Sequence, residues 1–181
     1  MKELLFEGKL VRLCPVNSED DAKLYAKWSR DSEYMRLADM DPVNLYALPL
    51  VKDFLDKEEE DGCNFMIETI ADNKRIGSIG LGGIDWADSC AWVGIGVGEK
   101  EDWGKGYGSE AMQLILKYAF TELNLHRVQL TVFDYNPRAI HSYEKCGFRV
   151  EGKEPDVMLR EGKRWDVINM GILRSEWEQL H

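Results

Sequence analysis

Glycine occupies alternate positions, Gly104, Gly106 and Gly108, in the stretch DWGKGYGSEA, and an apolar pattern of helical spacing begins directly after it. Such a loop leaves successive backbone N–H groups free to converge on an anion, and the start of the helix adds unpaired amides with partial positive charge. Lys105 adds a full charge. The stretch predicts a loop that binds phosphate or diphosphate, with a glycine-rich turn before a serine-capped helix as the structural alternative.

Two common phosphate-binding loops do not match this stretch. A P-loop requires glycine, four residues and then Gly-Lys-Ser/Thr, but five residues separate Gly98 from Gly104, and Gly106 follows Lys105. The dinucleotide fingerprint requires G-x-G-x-x-G in the first strand–helix unit, whereas here the third glycine comes one residue early and a hairpin pattern precedes the loop. The rest of the chain must therefore decide which diphosphate is bound.

Hydrophobic periodicity predicts a mixed α/β chain. Strand patterns fall at 10–13, 65–70, 75–81, 91–97, 127–133, 148–152 and 165–173. Helical patterns follow a cap at Ser18, begin near Leu50, cover 111–123 and run from Pro137 to a stop at Gly147. Residues 31–44 have loop character, 71–74 read as a hairpin turn and 84–88 as a connection. No repeat or linker interrupts this order, which predicts one domain.

Charge and composition restrict the partners of this chain of 181 residues. The net charge of −10 argues against a nucleic-acid backbone and is compatible with a cationic substrate. No apolar run is long enough to span a membrane, and acids interrupt the apolar residues at the start of the chain, so we expect a cytoplasmic protein. Reduced thiols and no metal are expected, since no ligand spacing links Cys14, Cys63, Cys90, Cys146, His126, His141 and His181.

A second segment, NPRAIHSYEKCGF at 136–148, follows one strand after the glycine loop. Together the two segments resemble the GNAT family of N-acetyltransferases, in which the loop binds the pyrophosphate of acetyl-CoA. Trp103 stands where that family usually has Gln or Arg. The stretches 103–111 and 160–173 are similar to those of the branch that contains the ribosomal-protein N-terminal alanine acetyltransferases, where this tryptophan is typical. The resemblance spans nearly the whole chain and is weakest over 30–62.

The resemblance implies an α/β fold of the α+β type. It is one GNAT domain over 1–181, with a twisted, mixed but mostly antiparallel sheet of about six to seven strands flanked by helices. The sheet is expected to splay between its fourth and fifth strands. In this interpretation 18–62 is the helical acceptor side, 63–152 the acetyl-CoA-binding core and 153–181 the C-terminal hairpin. A homodimer is plausible for the family, although no sequence feature requires one.

The resemblance also implies acetyl transfer from acetyl-CoA to a primary amine by direct attack in a ternary complex. Tyr143 is the expected general acid for the departing thiolate. Asn136 is expected to contact the pantetheine arm and Arg138 a phosphate of CoA. The backbone of Ile95, Gly96 and Val97 is expected to pair with the pantetheine amides and to donate to the thioester oxygen. The expected pyrophosphate site comprises Trp103, Gly104, Lys105, Gly106, Tyr107, Gly108 and Ser109.

The general base is the least determined part of this mechanism. Many relatives place a glutamate on the strand position where this chain has Trp92. Asp85 is the first alternative, Glu68 the second and a chain of water molecules the third. The aromatic residues expected either in an acceptor pocket or in the core are Trp28, Tyr34, Trp86 and Trp92.

Several functional alternatives remain open on sequence alone. The acceptor is a protein N-terminus, a polyamine, an aminoglycoside or another small amine. The transferred group is acetyl or, with a wider tunnel near Trp92, a longer acyl chain. A non-catalytic module that senses acyl-CoA and acts through a partner is the alternative from another class.

Overall fold

The computed structural model describes residues 4–61 and 63–180, so His181 lies outside the described residues. Within these residues the chain forms seven strands and six α-helices. The strands are β1 Val11–Pro15, β2 Asn64–Thr69, β3 Arg75–Asp85, β4 Cys90–Val97, β5 Arg127–Phe133, β6 Arg149–Arg160 and β7 Lys163–Leu173. The helices are α1 Ser18–Trp28, α2 Ser32–Ala38, α3 Leu48–Asp61, α4 Tyr107–Thr121, α5 Pro137–Lys145 and α6 Arg174–Glu178. None of the described helices is long and apolar enough to cross a membrane.

The strands form one mixed sheet in the order β1-β2-β3-β4-β5-β7-β6. The pairs β1–β2, β2–β3, β5–β7 and β6–β7 are antiparallel, whereas β4 and β5 are parallel. A parallel pair needs a crossover connection, and α4 lies in the chain between these two strands. The β4–β5 pairing runs only from Cys90 opposite Arg127 to Trp92 opposite Gln129 and then stops. The predicted mixed sheet with a splay between its fourth and fifth strands is therefore confirmed.

The described chain divides into two compact units, which we call the loop unit and the α5 unit. The loop unit contains the described residues as far as Gly80 together with Ile95–Ala111. Its buried cluster joins α1 and α3 to β2, and its members are Val16, Ala22, Trp28, Val51, Leu55 and Met66. The α5 unit contains Leu81–Gly94 and the described residues from Met112 onward. One of its buried clusters joins β5, β6 and β7 through Phe133, Met158 and Val167.

The N-cap of helix α1 lies one residue earlier than the sequence predicts. Asn17, not Ser18, is the N-cap: its side-chain oxygen accepts the N–H of Asp20 at 3.2 Å. Asp21 completes the cap by accepting the N–H of Asn17 at 2.7 Å. The carboxylate of Asp21 is fully buried and also binds Arg75 at the start of β3 at 2.5 Å. Ser18 is the first helical residue, so the prediction of a serine cap was wrong by one position.

Two helices and two strand ends depart from the sequence prediction, and one of these strands, β6, continues to Arg160, well beyond the pattern predicted at 148–152. Residues 31–44 were predicted as loop but contain α2, whose N-cap Asp31 accepts the N–H groups of Glu33 and Tyr34. This helix has seven residues and no fully buried side chain, so it lacks the apolar stripe that would predict a helix. The short helix α6 was also not predicted. Strand β3 continues to Asp85, where 84–88 was predicted as a connection.

Candidate active site

The glycine loop of the loop unit links β4 to α4 through a single 3-10 turn, Lys100–Asp102. Gly104 has φ +74° and Gly106 has φ +88°, conformations that L side chains rarely adopt. Gly108 instead lies in the first turn of α4, and a Cβ there would meet Ile95 and Val97 only at ordinary contact distances of 3.8 Å. Two of the three alternate glycines are thus required by the backbone of the loop, and the third is not.

The charge of the loop is organised around Asp102, a buried acid that the sequence analysis assigned no role. Its carboxylate binds the ammonium of Lys74 at 2.8 Å and that of Lys105 at 3.5 Å. Hydrogen bonds to Asp102 and then to Glu101 raise the pKa of Lys74. The Lys105 side chain stays half exposed, with its ammonium 5.9 Å from the centroid of the Tyr107 ring. The only sequence signal for Asp102 is an acid placed directly before the tryptophan and the glycines.

Trp103 ties the loop to the end of β4. Its indole N–H donates to the carbonyl of Val97 at 2.6 Å. The family's usual Gln or Arg at this position carries side-chain donors, whereas the one donor of Trp103 is used within the protein. The side chain of Trp103 therefore holds the loop against the end of β4. Only the backbone of Trp103 stays predicted to contact the pyrophosphate.

The glycines at the end of β4 make room for aromatic side chains. A Cβ on Gly96 would lie 2.6 Å from the hydroxyl of Tyr34, and one on Gly98 would lie 2.2 Å from the ring of Trp28. Burial raises the pKa of Tyr34, so its hydroxyl stays protonated at neutral pH. Trp28 is only 2% exposed and belongs to the core, while Tyr34 lies against the strand predicted to hold pantetheine. Aromatic packing therefore accounts for glycine at both positions, and the pairing of the backbone of 95–97 with pantetheine stays a prediction.

Helix α5 of the α5 unit is defined at both ends by local contacts. Asn136 is buried and caps the helix, since its Oδ1 accepts the N–H of Ala139 at 3.2 Å, and Pro137 occupies the first helical position. The helix ends in a Schellman motif, in which Gly147 has φ +99° and Phe148 donates its N–H to the carbonyl of Tyr143 at 3.1 Å. These contacts confirm the predicted start and stop of the helix.

Tyr143, the predicted general acid, is half-buried on α5. Its ring contacts Phe148 edge-on, with the ring centroids 6.1 Å apart. Burial raises the pKa of Tyr143 to about 12, with Cys146 raising it further and Arg138 lowering it. The hydroxyl therefore carries its proton throughout the neutral range, which is the form that a general acid requires.

The two carboxylates considered as general base are both engaged in other contacts. Glu68 in the loop unit accepts the Nε of Arg12 at 2.8 Å and lies 3.7 Å from the Nε of Arg75. Asp85 in the α5 unit is exposed, and its Oδ1 accepts the N–H groups of Ala87 and Asp88 at 2.9 and 3.0 Å in the turn after β3. These contacts give each acid a structural role, and the general base, Asp85, Glu68 or a chain of water molecules, stays a prediction.

Two further aromatic residues lie in the α5 unit. Trp86 is 63% exposed and Trp92 is 44% exposed, so neither belongs to the core. A Cβ on Gly83, which has φ +56°, would lie 3.4 Å from the indole of Trp92. Within residues 4–61 and 63–180, no group of three or more His, Cys, Asp or Glu side chains is placed to hold a metal ion.

The similarity to known proteins covers nearly the whole chain. Residues 11–149 match the acetyltransferase (GNAT) domain family. The chain is 30% identical over 178 residues to the uncharacterized N-acetyltransferase p20 of Bacillus licheniformis, covering 97% of this chain and 98% of that protein. It is 28% identical over 171 residues to spermidine N(1)-acetyltransferase of Escherichia coli K12, covering 94% and 90%. The crystal structure of spermidine N-acetyltransferase from Vibrio cholerae with CoA and spermine superimposes with a TM-score of 0.82 and 26% identity, covering 93% and 98%.

The chain therefore belongs to the GNAT family of acetyltransferases. It is an N-acetyltransferase, an acyltransferase that uses acetyl-CoA as cosubstrate. The enzyme class predicted from the two sequence segments is thus confirmed, and the non-catalytic alternative is set aside. The family match leaves the amine acceptor and the roles of individual residues to be argued from chemistry.

Proposed function

We propose that the protein acetylates a primary amine of a polyamine such as spermidine. The observation that carries this proposal is the similarity, over nearly the whole chain, to two spermidine acetyltransferases, one of them with CoA and spermine bound. The net charge of −10 supports it, because an acidic protein attracts a polycation. The N-terminal amine of a protein is the alternative acceptor, in keeping with the resemblance of 103–111 to the ribosomal-protein alanine branch.

The glycine loop binds the pyrophosphate of acetyl-CoA in this proposal. The donors are the backbone amides of residues 104–109, which the left-handed conformations of Gly104 and Gly106 and the N-terminus of α4 support. Lys105 adds a half-exposed charge. The backbone of 95–97 pairs with the pantetheine amides and donates to the thioester oxygen.

Residues of α5 supply the contacts nearest the reacting sulfur. Tyr143 donates its proton to the thiolate of CoA as the bond between sulfur and the acetyl carbon breaks. Asn136 contacts pantetheine through its amide NH2, because its Oδ1 already caps the helix. Arg138 approaches a phosphate of CoA. The acceptor ammonium first loses one proton to water, since both Glu68 and Asp85 are engaged elsewhere, and the neutral amine then attacks the thioester carbon. The nitrogen loses a second proton as the amide forms, and water returns that proton to Tyr143.

Thiol release from acetyl-CoA, measured with a panel of acceptors, tests this function. The panel contains spermidine, spermine, an aminoglycoside and a peptide with an N-terminal alanine. We expect turnover with the polyamines and, for Tyr143→Phe, a fall in kcat of about a hundredfold, which is typical of a lost general acid. The affinity of that variant for CoA should stay within a factor of about two.

Turnover of the peptide alone would replace the polyamine with a protein N-terminus. An undiminished kcat for Tyr143→Phe would remove the tyrosine from the mechanism while leaving the acceptor assignment intact. Slow turnover of every acceptor with acetyl-CoA, together with faster turnover of a longer acyl-CoA, would change the donor.

A further inference from the structure

Glu110, one residue after the glycine loop, is held by three backbone N–H groups from a distant part of the chain. Its Oε1 accepts the N–H of Lys9 at 2.9 Å, and its Oε2 accepts those of Leu10 and Val11 at 2.7 and 2.8 Å. Bonds between an ionised carboxylate and N–H donors are the stronger kind of protein hydrogen bond. This contact joins the first turn of α4 to the start of β1 across 99 to 101 residues of sequence, within the loop unit.

The three donors form a concave anion site that the fold fills with its own carboxylate. Gly8 donates its N–H to the carbonyl of Val11 at 2.9 Å, and this turn points three successive N–H groups the same way. A Cβ on Gly8 would lie 2.5 Å from the Cδ of Glu110, so any larger residue there displaces the carboxylate. Glycine at this position is therefore a requirement of the Glu110 contact.

The segment held by Glu110 also touches the glycine loop. A Cβ on Gly106 would lie 3.5 Å from the Cδ1 of Leu10, so that side chain lies against the glycine with φ +88°. The negative charge of Glu110 would by itself repel a diphosphate bound to the amides of residues 104–109. The N–H groups of residues 9–11 instead take up its charge, and the carboxylate fixes the helix end to which the loop is attached.

We propose that Glu110 is a positioning residue for the diphosphate loop, acting through residues 8–11. This inference rests on the proposed binding of the CoA pyrophosphate by residues 104–109. It makes a prediction of opposite sign to simple electrostatics. Removing a negative charge near an anion site should tighten binding, whereas removing the anchor of the loop should weaken it.

The affinity of the full-length protein for CoA, measured by calorimetry, separates the two effects. For Glu110→Gln we expect the Kd to rise about tenfold, since one of the two oxygens that accept the N–H groups is replaced by an NH2 group. Gly8→Ala keeps the charge but displaces the carboxylate, so its Kd should rise in the same direction. In the spermidine assay the rise should appear in KM for acetyl-CoA, with kcat at saturation unchanged.

Glu101→Gln is the matched control, because it removes an exposed acid of the adjoining 3-10 turn that binds Lys74 and no backbone N–H of 8–11. Its Kd should be unchanged or lower. Unchanged or tighter CoA binding in both Glu110→Gln and Gly8→Ala would overturn the inference. An equal fall in kcat in the two variants, together with loss of their cooperative unfolding transition, would also overturn it, because the substitutions would then act on the whole fold. If Gly106→Val also left CoA binding intact, the assignment of the loop to the pyrophosphate would fail instead.

Discussion

The glycine loop and helix α5 are held in place by different kinds of contact. The loop depends on partners far away in sequence: Lys74 binds Asp102, and residues 9–11 bind Glu110. Helix α5 depends on its own flanking residues, with Asn136 at one end and Gly147 at the other. A segment held by distant contacts can lose ligand affinity through a substitution outside it, whereas a segment held by its caps responds mainly to changes in those caps.

The largest expected effect distinguishes the glycines that the loop needs from the one that it does not. Gly106→Val forces a β-branched residue to φ +88°, so we expect the Kd for CoA to rise about a hundredfold. Gly108→Ala is the control, because Gly108 lies in the first turn of α4 and its Cβ would meet Ile95 and Val97 of β4 only at ordinary contact distances. That variant should bind CoA normally and unfold at a slightly higher temperature. Equal loss of affinity in both variants would contradict the distinction.

The second prediction concerns Tyr143 in the α5 unit. Its pKa is raised from 10.0 to about 12, so the unfolded chain ionises at lower pH than the folded one. Its contribution to stability is complete below pH 10 and is lost as the pH rises towards 12, because the unfolded state then releases its proton first. Between pH 10 and pH 12 we therefore expect the unfolding free energy of the wild type to fall by about 2 kcal/mol more than that of Tyr143→Phe.

Urea unfolding at pH 8, 10 and 11.5 checks this difference. Tyr34→Phe is the comparison in the loop unit, since burial raises the pKa of Tyr34 as well. Parallel stability curves for the wild type and Tyr143→Phe would mean that the hydroxyl is not kept neutral by its surroundings.

The third prediction separates the roles of the oxygen and the NH2 group in the side-chain amide of Asn136. Asn136→Ala removes the cap of α5 and should lower the unfolding free energy by about 1 kcal/mol. Asn136→Asp keeps an oxygen to cap the helix but lacks the NH2 group proposed to contact pantetheine. We expect it to unfold like the wild type and to have a higher KM for acetyl-CoA. A normal KM in the aspartate variant would confine Asn136 to its structural role.

The smallest effect is expected at Lys105, whose side chain is half exposed and already bound to Asp102. Because the proposed pyrophosphate donors are mostly backbone amides, Lys105→Ala should raise the Kd for CoA only about threefold, as for a single exposed charge. The difference from the wild type should shrink in 0.5 M salt, which screens exposed charges. Complete loss of binding would make the lysine, rather than the backbone, the main phosphate ligand.

The two segments also differ in how far their sequence predicted them. For α5, Pro137, the helical spacing and Gly147 marked both ends of the helix, because capping depends on neighbours in the chain. For the loop, the glycines predicted its flexibility but not which of them needs positive φ. The contacts of Gly96 and Gly98 with aromatic rings could not be predicted, since Tyr34 and Trp28 come from helices that are distant in sequence.

The site acids show the same limit. Sequence placed Glu68 and Asp85 among the possible bases because a carboxylate has that chemistry in any position. In the structure, Glu68 binds Arg12, and Asp85 accepts a backbone N–H in the turn after β3. Glu110 went unnoticed because its three donors lie about a hundred residues away. The division into an acceptor side, an acetyl-CoA core and a C-terminal hairpin stays a prediction.

The sequence by itself determined the order of the seven strands, four of the six described helices, the glycine loop before α4, the two ends of α5 and the GNAT family, because each depends on local spacing or on motifs in chain order. Only the tertiary structure decided which glycines of the loop adopt positive φ, which aromatic residues fill the core and what each acid binds. Those outcomes depend on side chains and backbone groups from distant segments. Their distances are set by packing, which no local pattern of residues encodes.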